Sequence, residues 1–190
     1  MYRSVTLKVL RTGIDPKDRS AVVKAAQTSS IEIRPGSDGN VVLLDGEDVT
    51  TAIRHPDVTR SVSAVSSYQG VRDVMVEAQR RLASQGGAVL EGRDIGTVVL
   101  PGADLKVFMV ADVHARAQRR LRDLADAGIA AEEEALVDEI QERDRKDSTR
   151  TASPLRKADD AVEVDTSNLT IGQQVSVIVE KAREILKRRV

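Results

Sequence analysis

Residues 142 to 150 read ERDRKDSTR, three acidic and four basic side chains with nothing apolar among them. Such a run is either a solvated helix face or a place where an anion sits. Upstream, EEALVDEIQ carries Leu136 and Ile140 four apart, the pattern of an amphipathic helix with those two in its buried stripe. Continuing the 3.6-residue period puts Arg143, Asp147 and Arg150 on that stripe and turns Arg145 away. Unpaired charges are costly to bury, so these three need a polar cleft or partner charges around them. The alternative is a plain solvated face.

Two other groups could serve the same anion. Arg93 and Asp94 follow the apolar run AVLEG, at what would be the carboxyl end of a strand, where an α/β sheet presents its ligand. Arg116, Arg119 and Arg120 recur at i, i+3 and i+4, so one helix face carries three guanidiniums that repel unless something anionic neutralises them. Guanidinium geometry suits phosphate, and phosphoryl transfer needs such groups to offset charge on the moving phosphoryl. A surface ion pair or cap remains open for Arg93 and Asp94. A solvated arginine face beside Asp123 and Asp126 remains open for the triplet.

The elements that must position these residues are legible in outline. A first helix runs from Tyr2 to about Arg11 and ends at Gly13; a second starts at Asp15, with Pro16 in its first position and Asp18 in its first turn. IEIR and VVLL, separated by PGSDGN, read as a hairpin. Val71, Val74, Ala78 and Leu82 mark one face of a helix ending before Gly86 and Gly87. AVLEG and LKVFMVAD read as buried strands, with Asp112 capping a helix through HARAQRRLRDLADAG. A third strand, AVEVDTS, precedes Thr170 and Gln173, a capping box that opens a helix with Val175, Ile178, Ala182 and Ile185 inside. Continuous apolar strands alternating with helices indicate the α/β class, a parallel sheet covered on both faces.

Composition limits the partners. Two Tyr and one Phe supply no stacking platform for single-stranded nucleic acid, and 29 basic against 30 acidic residues leave no global field for DNA or a membrane. There is no cysteine, and His55 and His114 lie far apart, which argues against a thiolate or histidine metal centre. His55, before Pro56, reads as a loop residue. No apolar run approaches the ~18 residues of a membrane span, and MYRSVTLKVLRTG lacks a signal-peptide core, so the cytoplasm is expected.

In their order, GEDVTTAIR, SVSAVSSYQGVR, EGRDIGTVVLP, RAQRRL and ERDRKDSTRTASPL resemble the bacterial type of cytidylate kinase, which phosphorylates CMP and dCMP from ATP. The resemblance covers the whole chain. It implies a P-loop nucleoside monophosphate kinase fold over residues 1–190, with an NMP-binding insert at 31–67 and a lid at 114–152. By the same resemblance Ser63, Arg72 and Asp94 would read the cytosine, Arg143 and Asp147 the ribose, and Arg3, Arg93 and Arg150 the monophosphate. Arg116, Arg119 and Arg120 would face the ATP phosphates, with Arg93, Arg119 and Arg120 catalytic and Mg²⁺ assisting. Cytosine chemistry agrees, since its N4 amino group suits a carboxylate and its O2 and N3 acceptors suit Arg or Ser. A monomer acting on CMP or dCMP and ATP is implied, without nucleic acid or membrane.

One departure stands out: no stretch matches G-x-x-x-x-G-K-[ST], the loop that cradles donor phosphates in this family. Relatives carry it after their first strand and before a Ser/Thr-Gly-x-Tyr-Arg stretch, of which MYR is kept here. The expectation is an N-terminally incomplete domain lacking the central first strand, so that AVLEG and LKVFMVAD have no shared neighbour and their edges stay open. A start assigned at an internal methionine, a true truncation without activity, and a phosphate loop taken from another chain are the explanations, in that order. A catalytically inactive pyrimidine-nucleotide-binding module is the alternative to a kinase.

Overall fold

Helix α1, Tyr2–Arg11, buries Val5 and Val9 in one apolar cluster and Leu7 in another, so both of its sides are covered. It lies at the centre of the first of two units, residues 1–90 with 150–152; the second unit comprises 91–149 and 153–190. The computed structural model describes residues 1–37, 39–84 and 86–188.

In the first unit α1 ends before Gly13, whose φ of 69° is left-handed, as the sequence implies. Helix α2, Arg19–Gln27, starts later than expected, because Asp18 and not Asp15 is its N-cap, accepting from the Ala21 N–H at 3.1 Å. Asp15 instead accepts from the Lys17 N–H at 2.9 Å, and its carbonyl accepts from the Asp18 N–H at 2.8 Å, closing a turn around Pro16. Two aspartates able to cap compete here, and the turn wins at the first. Strands β1, Ile31–Gly36, and β2, Gly39–Leu44, form the expected antiparallel hairpin, with Ile31 opposite Leu44 and Ile33 opposite Val42. A short β3, Glu47–Asp48, adds a third strand that sequence patterning does not mark.

A 3₁₀ turn, Ala52–Arg54, leads into α3, Pro56–Ser66, with His55 as its N-cap. Helix α4, Gln69–Ala83, follows; Val71 and Met75 are buried, whereas Val74, Ala78 and Leu82 are only half-buried. The main cluster joins Val5 and Val9 to Val22, Ala25, Ala26, Val65, Val71 and Met75, so all four helices share one core.

In the second unit β4, Val107–Val110, pairs in parallel with β5, Val162–Asp165, from Val107 opposite Val162 to Val110 opposite Asp165. Asp112 caps α5, Val113–Asp126, by accepting from the His114 N–H at 2.8 Å and the Ala115 N–H at 3.2 Å. Helix α6, Glu133–Thr149, lies against α5 through Ala117, Leu124 and Leu136. The capping box before α7, Ile171–Arg188, is reciprocal: Gln173 Oε1 accepts from the Thr170 N–H at 2.8 Å, and Thr170 Oγ1 accepts from the Gln173 N–H at 3.3 Å. Parallel strands connected through helices make this an α/β chain.

Three expectations about burial need correction. AVLEG is not a strand: residues 88–91 have no regular structure and Val89 is 98% exposed. An apolar β-branched run becomes a strand only where another strand completes its ladder, and among the described residues β4 pairs with β5 alone. The sheet is also less covered than a buried parallel sheet should be, with Met109 and Val162 exposed. Helix α7 forms with the expected periodicity but buries none of its residues, and Val175 is exposed while Ile178, Ala182 and Ile185 are half-buried. Amphipathicity provides a face to bury; an opposing surface has to cover it. No helix of the described residues is long and apolar enough to cross a membrane.

Candidate functional site

In the first unit, three of the candidate residues meet where α1, α3 and α4 come together. Arg3, on α1, donates through Nη1 to the Ile53 carbonyl at 3.1 Å and to Thr59 Oγ1 at 2.9 Å. Arg72, on α4, is 1% exposed; its Nη1 donates to the Ser66 carbonyl at 3.2 Å, and its guanidinium carbon lies 5.3 Å from the centre of the Tyr2 ring. Thr59, Ser63 and Ser66 fall at i, i+4 and i+7, one stripe of α3. Half-buried Ser63 therefore sits between the points where the two arginines are anchored. This is a basic, hydrogen-bonding surface on an otherwise aliphatic core.

In the second unit, the register read from Leu136 and Ile140 holds for Arg143 and Asp147. Asp147 is buried, and its Oδ2 lies 3.2 Å from Arg93 Nε and 3.8 Å from Arg143 Nε. Burial lowers the pKa of the Arg143 guanidinium from its ordinary value, and the Arg93 charge adds to this, against the opposing pull of Asp147, Asp144 and Glu139. The solvated-face reading of ERDRKDSTR holds only for its outer side, where Glu142 pairs with Arg145 and Lys146, which bring its carboxyl down to about 2. Asp94 is 5% exposed and precedes a π-helical turn, Ile95–Val99, its carbonyl accepting from the Val98 and Val99 N–H groups. Arg150 lies one residue beyond α6 and is grouped with the first unit, so the helical period does not carry to it.

The three arginines of α5 do not act as one patch. Arg116 Nη1 donates to Asp144 Oδ2 at 2.5 Å. Arg119 donates to the Thr166 and Ser167 carbonyls and, at 3.4 Å, to Thr166 Oγ1, which ties α5 to the carboxyl end of β5. Arg120 is half-buried and makes no hydrogen bond or ion pair with the described residues. Repulsion within the triplet is relieved because two of its members, Arg116 and Arg119, are drawn to different partners.

Tyr2, Thr59, Asp144 and Thr166 hold the candidate arginines and are not singled out in the sequence, although Tyr2 lies in MYR and Asp144 in ERDRKDSTR. A signal for Asp144 does exist: Leu136, Ile140 and Asp144 run at i, i+4 and i+8, so it shares the inward stripe with Arg143 and Asp147. Among the described residues no group of three or more His, Asp or Glu side chains is placed to hold a metal ion.

A family model described as cytidylate kinase matches residues 1–184. A cytidylate kinase of Mycobacterium avium is 49% identical over 190 residues, covering all of this chain and 82% of the relative. One from Pelotomaculum thermopropionicum is 46% identical over 182 residues, 95% of this chain and 80% of its own length. One from Geobacillus kaustophilus is 44% identical over 190 residues, all of this chain and 83% of the relative.

Proposed function

The chain belongs to the cytidylate kinase family, and from that premise we propose that it takes part in transfer of the γ-phosphate of ATP to CMP or dCMP, giving CDP or dCDP. The observation that supports this best is the pairing of Arg93 and Arg143 on the single buried carboxylate of Asp147. Two guanidiniums on one carboxylate leave an excess positive charge, which an anionic acceptor nucleotide neutralises.

In this reading Asp147 and Arg143 hold the ribose, and Arg3, Arg93 and Arg150 hold the monophosphate. Ser63, Arg72 and Asp94 read the base, with Asp94 accepting from the N4 amino group where uracil offers a carbonyl instead. Arg116, Arg119 and Arg120 serve the donor phosphates. An acceptor phosphate oxygen attacks the γ-phosphorus, the bond to the bridging oxygen breaks, and ADP leaves. Arg93, Arg119 and Arg120 offset the charge that spreads over the moving group. Residues 31–67 form the acceptor-binding insert and 114–152 the lid. Mg²⁺ would come with the nucleotide and offset charge on its phosphates. A cytoplasmic monomer, with no role toward nucleic acid or membrane, completes the reading.

A catalytically inactive pyrimidine-nucleotide-binding module is the second reading. It is favoured by one feature, that these 190 residues contain no G-x-x-x-x-G-K-[ST]. Calorimetric titration of the chain with CMP, dCMP and UMP tests the acceptor site common to both. CMP is expected to bind about one to two decades more tightly than UMP, the worth of one charge-assisted hydrogen bond. Equal affinities for the two would remove the cytosine assignment.

A further inference from the structure

Arg116 and Asp144 are both about one-third exposed, at 33% and 30% of their side chains, and they face each other across the packed α5–α6 pair. Asp144 stands one helical turn beyond Ile140 on the inward stripe, so helix packing aims its carboxylate at α5. Arg116 Nε is buried and has no hydrogen-bond partner among the described residues, so Asp144 leaves part of the guanidinium's donor capacity unused. Asp147 cannot take over this role, since Arg93 and Arg143 both converge on its Oδ2. The bonds from Arg119 differ in kind, because its acceptors are carbonyls and a hydroxyl and carry no charge to rival a phosphate.

We propose that Asp144 is a positioning residue: it is an internal counter-ion that holds Arg116 at the α5–α6 seam and competes with the donor phosphates for its guanidinium. This rests on the donor-side reading of Arg116 given above. A carboxylate and a phosphate use the same N–H fork, so Arg116 cannot serve both fully. A partly exposed ion pair is weak enough for a more highly charged anion to displace it, yet strong enough to subtract from that anion's affinity. Asp144 thereby sets how tightly the donor is held and how readily ADP leaves.

The test is an ATP titration of the ¹⁵N-labelled chain, followed by NMR at the Arg116 Nε–H and at the backbone amides of α5. Asp144→Asn is expected to lower the ATP midpoint about three- to fivefold, the upper worth of a partly exposed ion pair. Asp144→Ser gives the same shift should the asparagine variant fold poorly, and Asp144→Glu stays within about twofold of the parent. Asp138→Asn removes an equal charge from the same helix without touching Arg116 and moves the midpoint less than about twofold. In an Arg116→Ala background, read at the amides, Asp144→Asn has no effect.

An Asp144→Asn midpoint that is unchanged, raised, or matched by Asp138→Asn overturns the proposal, while the donor-side reading stands if Arg116→Ala by itself weakens ATP binding. If Arg116→Ala leaves the midpoint where it was, that reading fails and the proposal falls with it.

Discussion

Arg93 Nε lies 3.2 Å from Asp147 Oδ2, joining a residue 41% exposed at its side chain to one that is 4% exposed. The contact ties the segment before the π-helical turn to the last turn of α6, inside one unit. Arg143 approaches the same oxygen at 3.8 Å. A single carboxylate therefore keeps two like charges together.

Asp147→Asn keeps the shape of that side chain and removes its charge. The expected loss is about 1–3 kcal/mol in urea unfolding, below that for a fully buried pair because water reaches Arg93. A second change, Arg143→Met, should return part of it by removing one of the two charges left facing each other. An unchanged midpoint in Asp147→Asn would mean that the carboxylate is buried without electrostatic consequence.

Asp94→Asn should erode the preference for CMP over UMP. In the proposed reading an amide can turn its NH₂ toward the uracil carbonyl, and the charge-assisted bond to the cytosine amino group is lost. About one to two decades of discrimination should disappear in parallel CMP and UMP titrations. A variant as selective as its parent would show that the base is read elsewhere.

Gly70, at the start of α4, has no room for a side chain: an added Cβ would lie 2.8 and 3.0 Å from the two γ-methyls of Val23. Glycine to alanine in a helix ordinarily gains up to about 1 kcal/mol. Here overpacking against a stiff β-branched side chain costs about 1–3 kcal/mol, so Gly70→Ala is expected to destabilise. Val23→Ala in the same chain should relieve the clash, and a midpoint that stays low in the double variant would count against this account.

A polypeptide of these 190 residues should turn over at least about 10³-fold more slowly than one that also carries an in-frame G-x-x-x-x-G-K-[ST] loop upstream. Phosphoryl transfer leaves a protein mainly positioning and charge compensation to do. In the proposed reading Arg116, Arg119 and Arg120 compensate charge but do not hold the β and γ phosphates in line. A coupled assay with ATP, Mg²⁺ and CMP, run on both polypeptides side by side, measures the ratio. Comparable rates would require a donor site built from other residues.

Sequence by itself was sufficient wherever the determining interaction spans four residues or fewer. The Thr170–Gln173 box, the Asp112 cap and the end of α1 at Gly13 are local hydrogen-bonding and turn problems, and each formed as its residues imply. The register that puts Arg143 and Asp147 on one side of α6 is local too, since helical period alone decides it. Tertiary structure decided whatever needs an opposing surface. AVLEG and the apolar face of α7 have the composition of buried elements, yet Val89 and Val175 are exposed, because an apolar pattern does not supply its own partner. The arginines show the same division. Their spacing on α5 was legible, but Arg116 on Asp144, Arg119 on the Thr166 carbonyl and Arg72 over Tyr2 are pairings between separate elements, and only the packing of those elements selects them.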